Sequence, residues 1–255
     1  MSYKESDSKP SLSAQQKRFS AEHESPWSIY KDFAIGEGSW LQLGAYEIYG
    51  LLGAGLSGAA GLALRRFWLP HLLGSCKGKL TVGREVSIRQ PMRVHCGRNV
   101  ILEDFTVLDI RSGQNATPRI DLGDHVFVGR GTILAAKGGQ LILSAGVNIS
   151  SYCRIATQSK VEIGESTLIA AYCYIGPGNH KIEGSDVPII EQGMDSGGGV
   201  RIGSDCWLGT RATILDGVTI GDHAVVGAHS LVTQDVPEGA IVGGTPARIL
   251  RYRDD

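Results

Sequence analysis

Residues 200–236 read VRIGSDCWLGTRATILDGVTIGDHAVVGAHSLVTQDV, and an aliphatic side chain recurs in this stretch at every sixth position. The six positions are Ile202, Leu208, Ile214, Ile220, Val226 and Val232. Glycine directly follows four of them, at Gly203, Gly209, Gly221 and Gly227. A period of six fits neither an amphipathic helix nor a long strand, because those repeat every 3.6 and every two residues. Each hexapeptide is therefore predicted to form one short strand and one corner.

Three such hexapeptides close a triangular rung of about 18 residues if the chain turns through about 120° at each corner. The aliphatic side chains then stack on the axis, and small residues four positions later fill the corners, as at Ala212, Ala224 and Ser230. The same period continues upstream in shifted registers, so we expect roughly seven rungs from Leu80 to Val236, stacked at the ~4.8 Å strand spacing. The 35 glycines among 255 residues are then explained by the corners.

Charge and composition exclude several classes of protein. The 25 Lys and Arg residues nearly balance the 26 Asp and Glu residues, which argues against a nucleic-acid-binding protein. Five cysteines are scattered without a CxxC pair, so we expect reduced thiols and no zinc site. Residues 1–26 are polar and lack the apolar core of a secretory signal, which predicts a flexible tail on a cytoplasmic protein.

Residues 27–78 form a predicted helical segment that precedes the coil of residues 79–255. The stretch from Ile48 to Leu64 is uncharged for 17 residues, which is short of the ~20 that a membrane span requires. Three interpretations stay open: a cap on the coil, a membrane anchor lying on the surface, or a transmembrane helix. The anchor would give peripheral membrane contact through residues 48–73 at the inner face, with Arg65, Arg66, Phe67 and Trp68 at the headgroup level. We also expect this segment and the final VGGTPARIL stretch to cover the open ends of the coil.

The six-residue period stops once, at about residues 176–199, where GPGNHKIEGSDVPIIEQGMDSGGG separates Ile175 from Val200. An ordered coil accommodates so long an insertion on its surface, and such loops are often functional. His180 lies in this loop.

Over about residues 80–252, and most closely from Val161 to Tyr252, the chain resembles the hexapeptide-repeat acyltransferases. Its last third is similar to the galactoside, maltose and polysaccharide O-acetyltransferases. The resemblance implies an all-β fold, a left-handed parallel β-helix with an N-terminal helical extension. It also implies a homotrimer with active sites at subunit interfaces, acetyl-CoA as donor, a saccharide acceptor, and no metal.

The resemblance further implies roles for particular residues. His180 corresponds to the catalytic base, and the backbone N–H of Thr210 to the oxyanion donor. Histidine is the side chain that accepts a proton near neutral pH without adjustment. The substrate-binding and coenzyme-binding positions are Trp207, Asn179 and Tyr152 for the substrate, and Gly209, Ala228, Thr233, Arg248 and Arg251 for the coenzyme. Tyr152 stands in a region where the galactoside enzymes carry Asn and Asp, so a simple galactoside acceptor is not expected.

The main hypothesis is an O-acetyltransferase acting on a sugar hydroxyl of a surface polysaccharide or lipid-linked precursor. The alternatives are an N-acetyltransferase of an amino sugar nucleotide or antibiotic-type acceptor, and a non-catalytic β-helix scaffold. His223 and His229 are six residues apart, and the sequence interpretation stacks them on adjacent rungs of one face. Because no third histidine has suitable spacing, we expect an exposed or interface role for them rather than a metal site.

Overall fold

Three parallel sheets wind into a coil of triangular section. A computed structural model describes residues 25–111, 117–176, 178–184 and 186–254. Each turn of the coil passes through sheets A, B and C in that order, so the coil has an AB edge, a BC edge and a CA edge where the chain changes sheet.

The strands of each sheet pair in parallel with those one rung away. Sheet A comprises β1 (Ser75–Cys76), β4 (Val94–Cys96), β7 (Arg119–Leu122), β10 (Gln140–Leu143), β13 (Lys160–Ile163), β18 (Val200–Ile202) and β21 (Thr219–Ile220). Sheet B comprises β2 (Leu80–Val82), β5 (Val100–Leu102), β8 (Phe127–Val128), β11 (Asn148–Ile149), β14 (Leu168–Ile169), β19 (Trp207–Leu208), β22 (Val225–Val226), β24 (Ala240–Gly244) and β25 (Ala247–Tyr252). Sheet C comprises β3 (Ser87–Arg89), β6 (Val107–Arg111), β9 (Ile133–Lys137), β12 (Arg154–Thr157), β15 (Tyr174–Ile175), β20 (Thr213–Ile214) and β23 (Leu231–Val232).

The aliphatic side chains of the six-residue period form the core. Register pairs Ile202 with Ile220 in sheet A, and Leu208 with Val226 in sheet B, so residues 18 apart stack on each other. All six positions of the C-terminal run are buried. The predicted rung and its axis are confirmed. Upstream rungs contain extra residues, as where Leu143 pairs with Ile163, which accounts for the shifts in register.

Glycine occupies the corners, as expected, but for a different physical reason. The left-handed backbone conformation falls mainly on larger residues, such as Tyr172 with φ 63° and Arg211 with φ 61°. Many glycines instead come first in the corner, against the next rung. A Cβ built on Gly164 would lie 2.4 Å from the carbonyl carbon of Gly203. Close approach of successive rungs, rather than positive φ, therefore requires glycine there.

The N-terminal segment is helical and covers the first rung. It contains α1 (Pro26–Ile35), α2 (Trp40–Tyr49), a π-helical turn (Gly50–Ala54) and α3 (Gly58–Leu72). Ser39 starts α2 with a capping box, in which its hydroxyl accepts from the Gln42 N–H and the Gln42 side chain accepts from the Ser39 N–H. Tyr49, Leu69 and Leu72 join the hydrophobic core of the coil. The cap interpretation is therefore the one that fits this packing.

Arg65 is buried at 2% exposure and joins α3 to the coil. Its guanidinium donates to the carbonyl oxygens of Val82, Gly53 and Leu56, at 2.9, 3.1 and 2.6 Å. The expectation that Arg65 lies at a headgroup level is thus wrong, since a buried side chain with three protein acceptors cannot face lipid. Phe67 stays exposed. Within the described part of the chain, no helix has both the length and the apolarity needed to cross a bilayer.

The far end of the coil is closed by the C-terminal hairpin. Strand β25 pairs antiparallel with β24 and follows the last parallel strand of sheet B. The expected cover at each end of the coil is therefore present.

Candidate active site

The long insertion leaves the coil at the CA edge, between β15 and β18. It contains a two-stranded hairpin, β16 (Asn179–His180) with β17 (Met194–Asp195), and a short helix α4 (Ile189–Gln192). The return of the insertion to the coil is fixed by Asp216, whose carboxylate accepts from the N–H of Gly197 at 2.5 Å and of Gly199 at 2.9 Å. Near its start, Gly178 lies against the side chain of Gln158, at the same edge.

His180 projects from this hairpin and is exposed. Its backbone pairs with Met194, and the N–H of the next residue, Lys181, donates to the carbonyl of Gly193 at 3.2 Å. Asn179 precedes it in β16 and pairs with Asp195 through the backbone. The hairpin therefore presents the imidazole outside the coil at the CA edge.

Thr210 lies on the BC edge, in the corner between β19 and β20. Its carbonyl accepts from the N–H of His229 at 2.9 Å, one rung further along. Within the described part of the chain, the Thr210 N–H has no acceptor, and the residue is exposed. Gly209 below it is close-packed, since a Cβ there would lie 2.6 Å from the Ala228 nitrogen. An outward N–H held by a rigid corner is suited to stabilising developing negative charge.

Within one protomer, His180 and Thr210 stand at opposite edges of sheet C. The chain between these edges at this level is the corner Gly209 to Ala212 followed by β20. Sheet C therefore lies between the two groups. The structure thus does not bring the two predicted catalytic groups together in a single copy of the chain.

Aromatic and cationic side chains stack along the BC edge. The rings of Tyr152 and Tyr172 lie 5.4 Å apart and nearly parallel, at 14°. The guanidinium of Arg211 lies 5.4 Å from the Tyr172 ring centroid. Trp207, on the neighbouring face of sheet B, is 51% exposed. The predicted residues Trp207 and Thr210 therefore share one rung, and Tyr152 lies two rungs away along the same side, with Tyr172 between them.

Tyr172 and Arg211 were missing from the sequence interpretation. A signal did exist, because Tyr172 follows Tyr152 by 20 residues, the length of one of the longer rungs. Rung length, applied to exposed as well as buried residues, identifies such a column.

The predicted coenzyme residues divide into two groups. Gly209 and Ala228 lie on the BC edge beside Thr210. Thr233 and Arg248 line one cavity of about 350 Å³ under the C-terminal hairpin. Arg251 is exposed further along β25, and its guanidinium donates to the carbonyl of Tyr252 at 3.0 Å.

His223 and His229 do not stack on one face. They lie on successive corners of the same rung, His223 at the AB edge and His229 at the BC edge, because six residues advance the chain by one side rather than by one rung. His223 Nδ1 lies 2.9 Å from the Asp205 carboxylate, which also accepts from Arg253 at 3.0 Å. The hydrogen bond to Asp205 raises the pKa of His223 above its ordinary value. A second cavity of about 560 Å³ is lined by His223, Glu238, Tyr252 and Arg253, away from the predicted site residues.

A cluster of charges on the outer face of sheet C was also missing from the sequence interpretation. Asp109 is 6% exposed and accepts hydrogen bonds from Arg89 at 2.9 Å and from Arg111 at 2.8 Å. Burial raises the pKa of Asp109, but the hydrogen bonds from Arg111 and Arg89 outweigh it and hold that pKa below its usual range. Lys137 is the cross-strand neighbour of Arg111. The position of this charge cluster was not predictable from the aliphatic period, which identifies inward residues and leaves outward residues unassigned.

Comparisons with known proteins agree with this architecture. A family model described as bacterial transferase hexapeptide (six repeats) matches residues 199–234. A Mycobacterium tuberculosis protein named as an acetyltransferase is 34% identical over 142 residues, which cover 54% of this chain and 47% of that protein. An Escherichia coli protein named as a lipopolysaccharide biosynthesis O-acetyl transferase is 34% identical over 140 residues, which cover 52% of this chain and 71% of that protein. The chain thus spans about half of the length of the first relative and more of the second.

Among solved structures, the crystal structure of the polySia-specific acetyltransferase NeuO is similar, with a TM-score of 0.52 and 22% identity. The match covers 69% of this chain and 81% of that chain, and it supports the fold alone. With three parallel sheets and stacked hexapeptide rungs, the fold is a left-handed parallel β-helix with an N-terminal helical segment. The chain belongs to the hexapeptide-repeat acetyltransferase family.

Proposed function

We propose that the chain is an acetyl-CoA-dependent O-acetyltransferase that modifies a sugar hydroxyl of a surface polysaccharide or a lipid-linked saccharide precursor. The relationship to the Escherichia coli protein supports the O-acetyl transfer and the saccharide class. The observation that carries the proposal is the pair of complementary groups at two edges, an exposed histidine at the CA edge and, at the BC edge, an N–H with no acceptor among the described residues.

The separation of these two groups supports a homotrimer with shared sites. In a ring, each subunit joins a different surface of its neighbour, so one edge of a protomer meets another edge of the next. The CA edge of one protomer would then set His180 against the Thr210 corner of its neighbour. Gly209 and Ala228 of one copy, with Thr233 and Arg248 of another, would enclose one coenzyme.

The proposed reaction is a direct transfer. The acceptor hydroxyl oxygen attacks the thioester carbonyl carbon while His180 accepts the hydroxyl proton. The Thr210 N–H donates to the oxyanion of the tetrahedral intermediate, a contact worth about 3 kcal/mol. The carbon–sulfur bond then breaks, and the histidine returns its proton to the coenzyme A thiolate. The acetyl ester and free coenzyme A are the products.

The membrane-proximal part of the proposal concerns the N-terminal helices. Leu51 and Phe67 are 82% and 77% exposed, and Arg66 lies beside Phe67. Exposed apolar side chains beside a cation are suited to peripheral contact with a bilayer from the cytoplasmic side. Flotation of the full chain with anionic vesicles tests this part, and replacing Leu51 and Phe67 together by Ser is expected to abolish the vesicle-bound fraction. Membrane contact would be contradicted if the unmodified chain and the double variant were recovered equally in the fraction that contains no vesicles.

The decisive experiment on catalysis replaces His180 by Ala in the full chain. We expect acetyl transfer to saccharide acceptors, measured as acceptor-dependent release of free coenzyme A, to fall by about 10²- to 10⁴-fold, the range for loss of a general base. His95 is a matched control, because it lies in β4 near the first rungs and away from the hairpin. His95→Ala is expected to retain activity. A loss smaller than ~10²-fold in His180→Ala would overturn the assignment of the base. If the unmodified chain released no coenzyme A with any acceptor, the scaffold alternative would be favoured.

A further inference from the structure

Four cations surround one carboxylate on the outer face of sheet C. The cations are Arg89 on β3, Arg111 on β6, Lys137 on β9 and Arg154 on β12, and the carboxylate is Asp109. Strands β3, β6, β9 and β12 are consecutive neighbours in the sheet, so these side chains share one surface. Four basic side chains against one carboxylate give the cluster a formal net charge of +3.

The carboxylate is already occupied. Both oxygens of Asp109 accept from Arg111, at 3.0 and 2.8 Å, and one of them also accepts from Arg89 at 2.9 Å. Arg89 stacks over the Phe33 ring at 4.0 Å, which closes this side of the cluster under α1. Asp109 therefore bonds directly to the two arginines, and its single negative charge leaves an excess of positive charge around Lys137.

Lys137 is held in an unfavourable place. It is half-buried and directly opposite Arg111 across two parallel strands. Like charges in that arrangement destabilise a sheet. Burial lowers the pKa of Lys137, and repulsion from Arg111 and Arg154 lowers it further. Within the described part of the chain, neither Lys137 nor Arg154 forms an ion pair or a side-chain hydrogen bond.

Lys137 and Arg154 both stay partly exposed on the outer face of sheet C. Arg154 pairs with Ile133, so it lies one rung above Lys137 and four positions before it along the strand direction. The outward positions between them carry Ala135 and Ala156, whose side chains are only a methyl group. Both alanines are buried, so an anion would meet the partly exposed ends of the two cations rather than a cavity between them.

This pair of cations lies next to the hairpin of His180. Lys137 ends β9 at the CA edge, where Gly138 contacts the carbonyl of Gln158 and the Gln158 side chain contacts Gly178. The insertion departs from β15, two strands further along sheet C than β9. Two steps of strand spacing correspond to about 10 Å, which is the reach of one or two sugar units.

We propose that Lys137 and Arg154, assisted by the charge of Arg111, bind a phosphate or carboxylate group of the acceptor, so that the acceptor is an anionic saccharide. The proposal rests on the proposed acetyltransferase function, because the bound saccharide is an acceptor only if the chain transfers an acetyl group to it. An anion placed here would relieve the repulsion between Lys137 and Arg111 and would fix the sugar with its hydroxyl toward the hairpin.

The donor is a poor candidate for this position. The cavity with Thr233 and Arg248 follows β23, four strands beyond β9 in sheet C, or about 19 Å along the coil. Phosphates of a coenzyme held at that cavity would lie well away from Lys137.

The test measures binding of three probes to the full chain by isothermal titration calorimetry. The probes are glucose 1-phosphate, glucuronate and glucose. We expect at least one charged sugar to bind about ten-fold or more tightly than glucose, as expected for charge-assisted hydrogen bonds. Lys137→Met is expected to remove that difference, and Lys137→Arg to keep most of it. The charged sugar that shows the effect identifies phosphate or carboxylate as the group recognised.

Lys79→Met is the matched control, because Lys79 is an exposed lysine just before β2. It should leave all three affinities unchanged. Charged sugars that bind no better than glucose, or an equal loss for all three sugars in Lys137→Met, would overturn the proposal. Lys137→Met is expected to fold, because methionine keeps the apolar stem and removes a half-buried charge.

This test separates the new proposal from the proposed function. His180 is not part of the cluster, so His180→Ala should bind the charged sugar as the unmodified chain does. Preserved transfer in His180→Ala would overturn the catalytic assignment and leave the anion site standing. A transfer assay adds the converse check, since Lys137→Met should raise KM for the charged acceptor while KM for acetyl-CoA stays the same.

Discussion

Single residues at the corners determine how closely the rungs can stack. Gly164 is the first residue of a corner, and the carbonyl carbon of Gly203 in the next rung stands where its side chain would begin. The approach is between backbone atoms, which cannot move aside as the end of a long side chain can. A corner glycine in this coil is therefore a requirement of packing density.

The first prediction compares two replacements of glycine by alanine. Gly164→Ala is expected to lower the free energy of unfolding by about 1–3 kcal/mol or more, because the added methyl group overpacks the backbone of the next rung. Gly44→Ala is the control, since Gly44 is exposed in α2 and a Cβ there meets nothing within 4 Å. Gly44→Ala is expected to raise the free energy of unfolding by about 0.5–1 kcal/mol, because alanine has fewer conformations in the unfolded chain than glycine. Urea denaturation measures both, and equal changes would contradict the packing argument.

The sequence identifies inward residues far better than outward ones. Ile202, Leu208 and Ile214 are predictable because burial imposes an apolar type at a fixed period. Tyr172 and Lys137 obey no such rule, since an outward position tolerates any side chain that is compatible with the strand. The position of His180 relative to Thr210 depends on which corner each follows. To assign a residue to a corner, one must count the sides of the coil that the chain has passed as well as the six-residue period. The same count shows that His223 and His229 lie on different corners rather than stacked.

At the scale of the element, α3 is attached to the coil through one buried guanidinium. Arg65 satisfies the carbonyls of Gly53 and Leu56 at the end of the preceding helical segment, and that of Val82 in the first strand of sheet B. An end strand would otherwise present unpaired carbonyls. One side chain therefore closes both the turn before α3 and the edge of the sheet.

The second prediction removes this attachment. Arg65→Met is expected to destabilise the N-terminal cap by about 2–5 kcal/mol, because buried carbonyls lose a charged donor. The adjacent Arg66 is exposed, and Arg66→Met should change stability by less than about 0.5 kcal/mol. Hydrogen exchange of the Leu80–Val82 amides reports the effect, with faster exchange in Arg65→Met alone. Unchanged exchange in that variant would show that packing of Leu69 and Leu72 suffices.

The third prediction concerns pH and the contact between His223 and Asp205 at the AB edge. The hydrogen bond to Asp205 raises the pKa of His223, so this interaction stabilises the contact between two rungs at the AB edge below the unfolded value of about 6.5 and is lost as pH rises through the folded value. Glu238 also favours the charged imidazole, and Arg253 opposes it. Proton NMR should give His223 a pKa above 6.5 that falls in Asp205→Asn. The His223 amide, which donates to the carbonyl of Ser204 in the neighbouring rung, should exchange faster at about pH 8.5 than intrinsic base catalysis predicts from its rate at about pH 5.5.

At the scale of the whole molecule, the two proposed catalytic groups lie at different edges of one coil. A site that needs both must take one from each of two neighbouring copies. The assembly is then part of the chemistry, because a lone protomer holds every residue of the site but no complete site.

The fourth prediction tests this by mixing two inactive proteins. His180→Ala lacks the base, and Thr210→Pro lacks the backbone N–H, because proline has no amide hydrogen. After joint unfolding and reassembly, about a quarter of the sites in a random cyclic trimer should combine an intact histidine with an intact N–H. Coenzyme A release should return to about that fraction of the original rate. Mixtures that stay inactive although they co-assemble would show that each site belongs to one chain.

The 18-residue spacing of the last rungs has a consequence for how such a chain can change its length. Each rung forms hydrogen bonds only with the rungs directly above and below it. Duplicating residues 203–220 in frame would therefore add one rung, about 4.8 Å in height, whose buried side chains pack against those of its neighbours as before. Such a copy would move the terminal arginines away from the histidine hairpin by one step. The number of rungs between the terminal arginines and the histidine hairpin therefore fixes the distance between them.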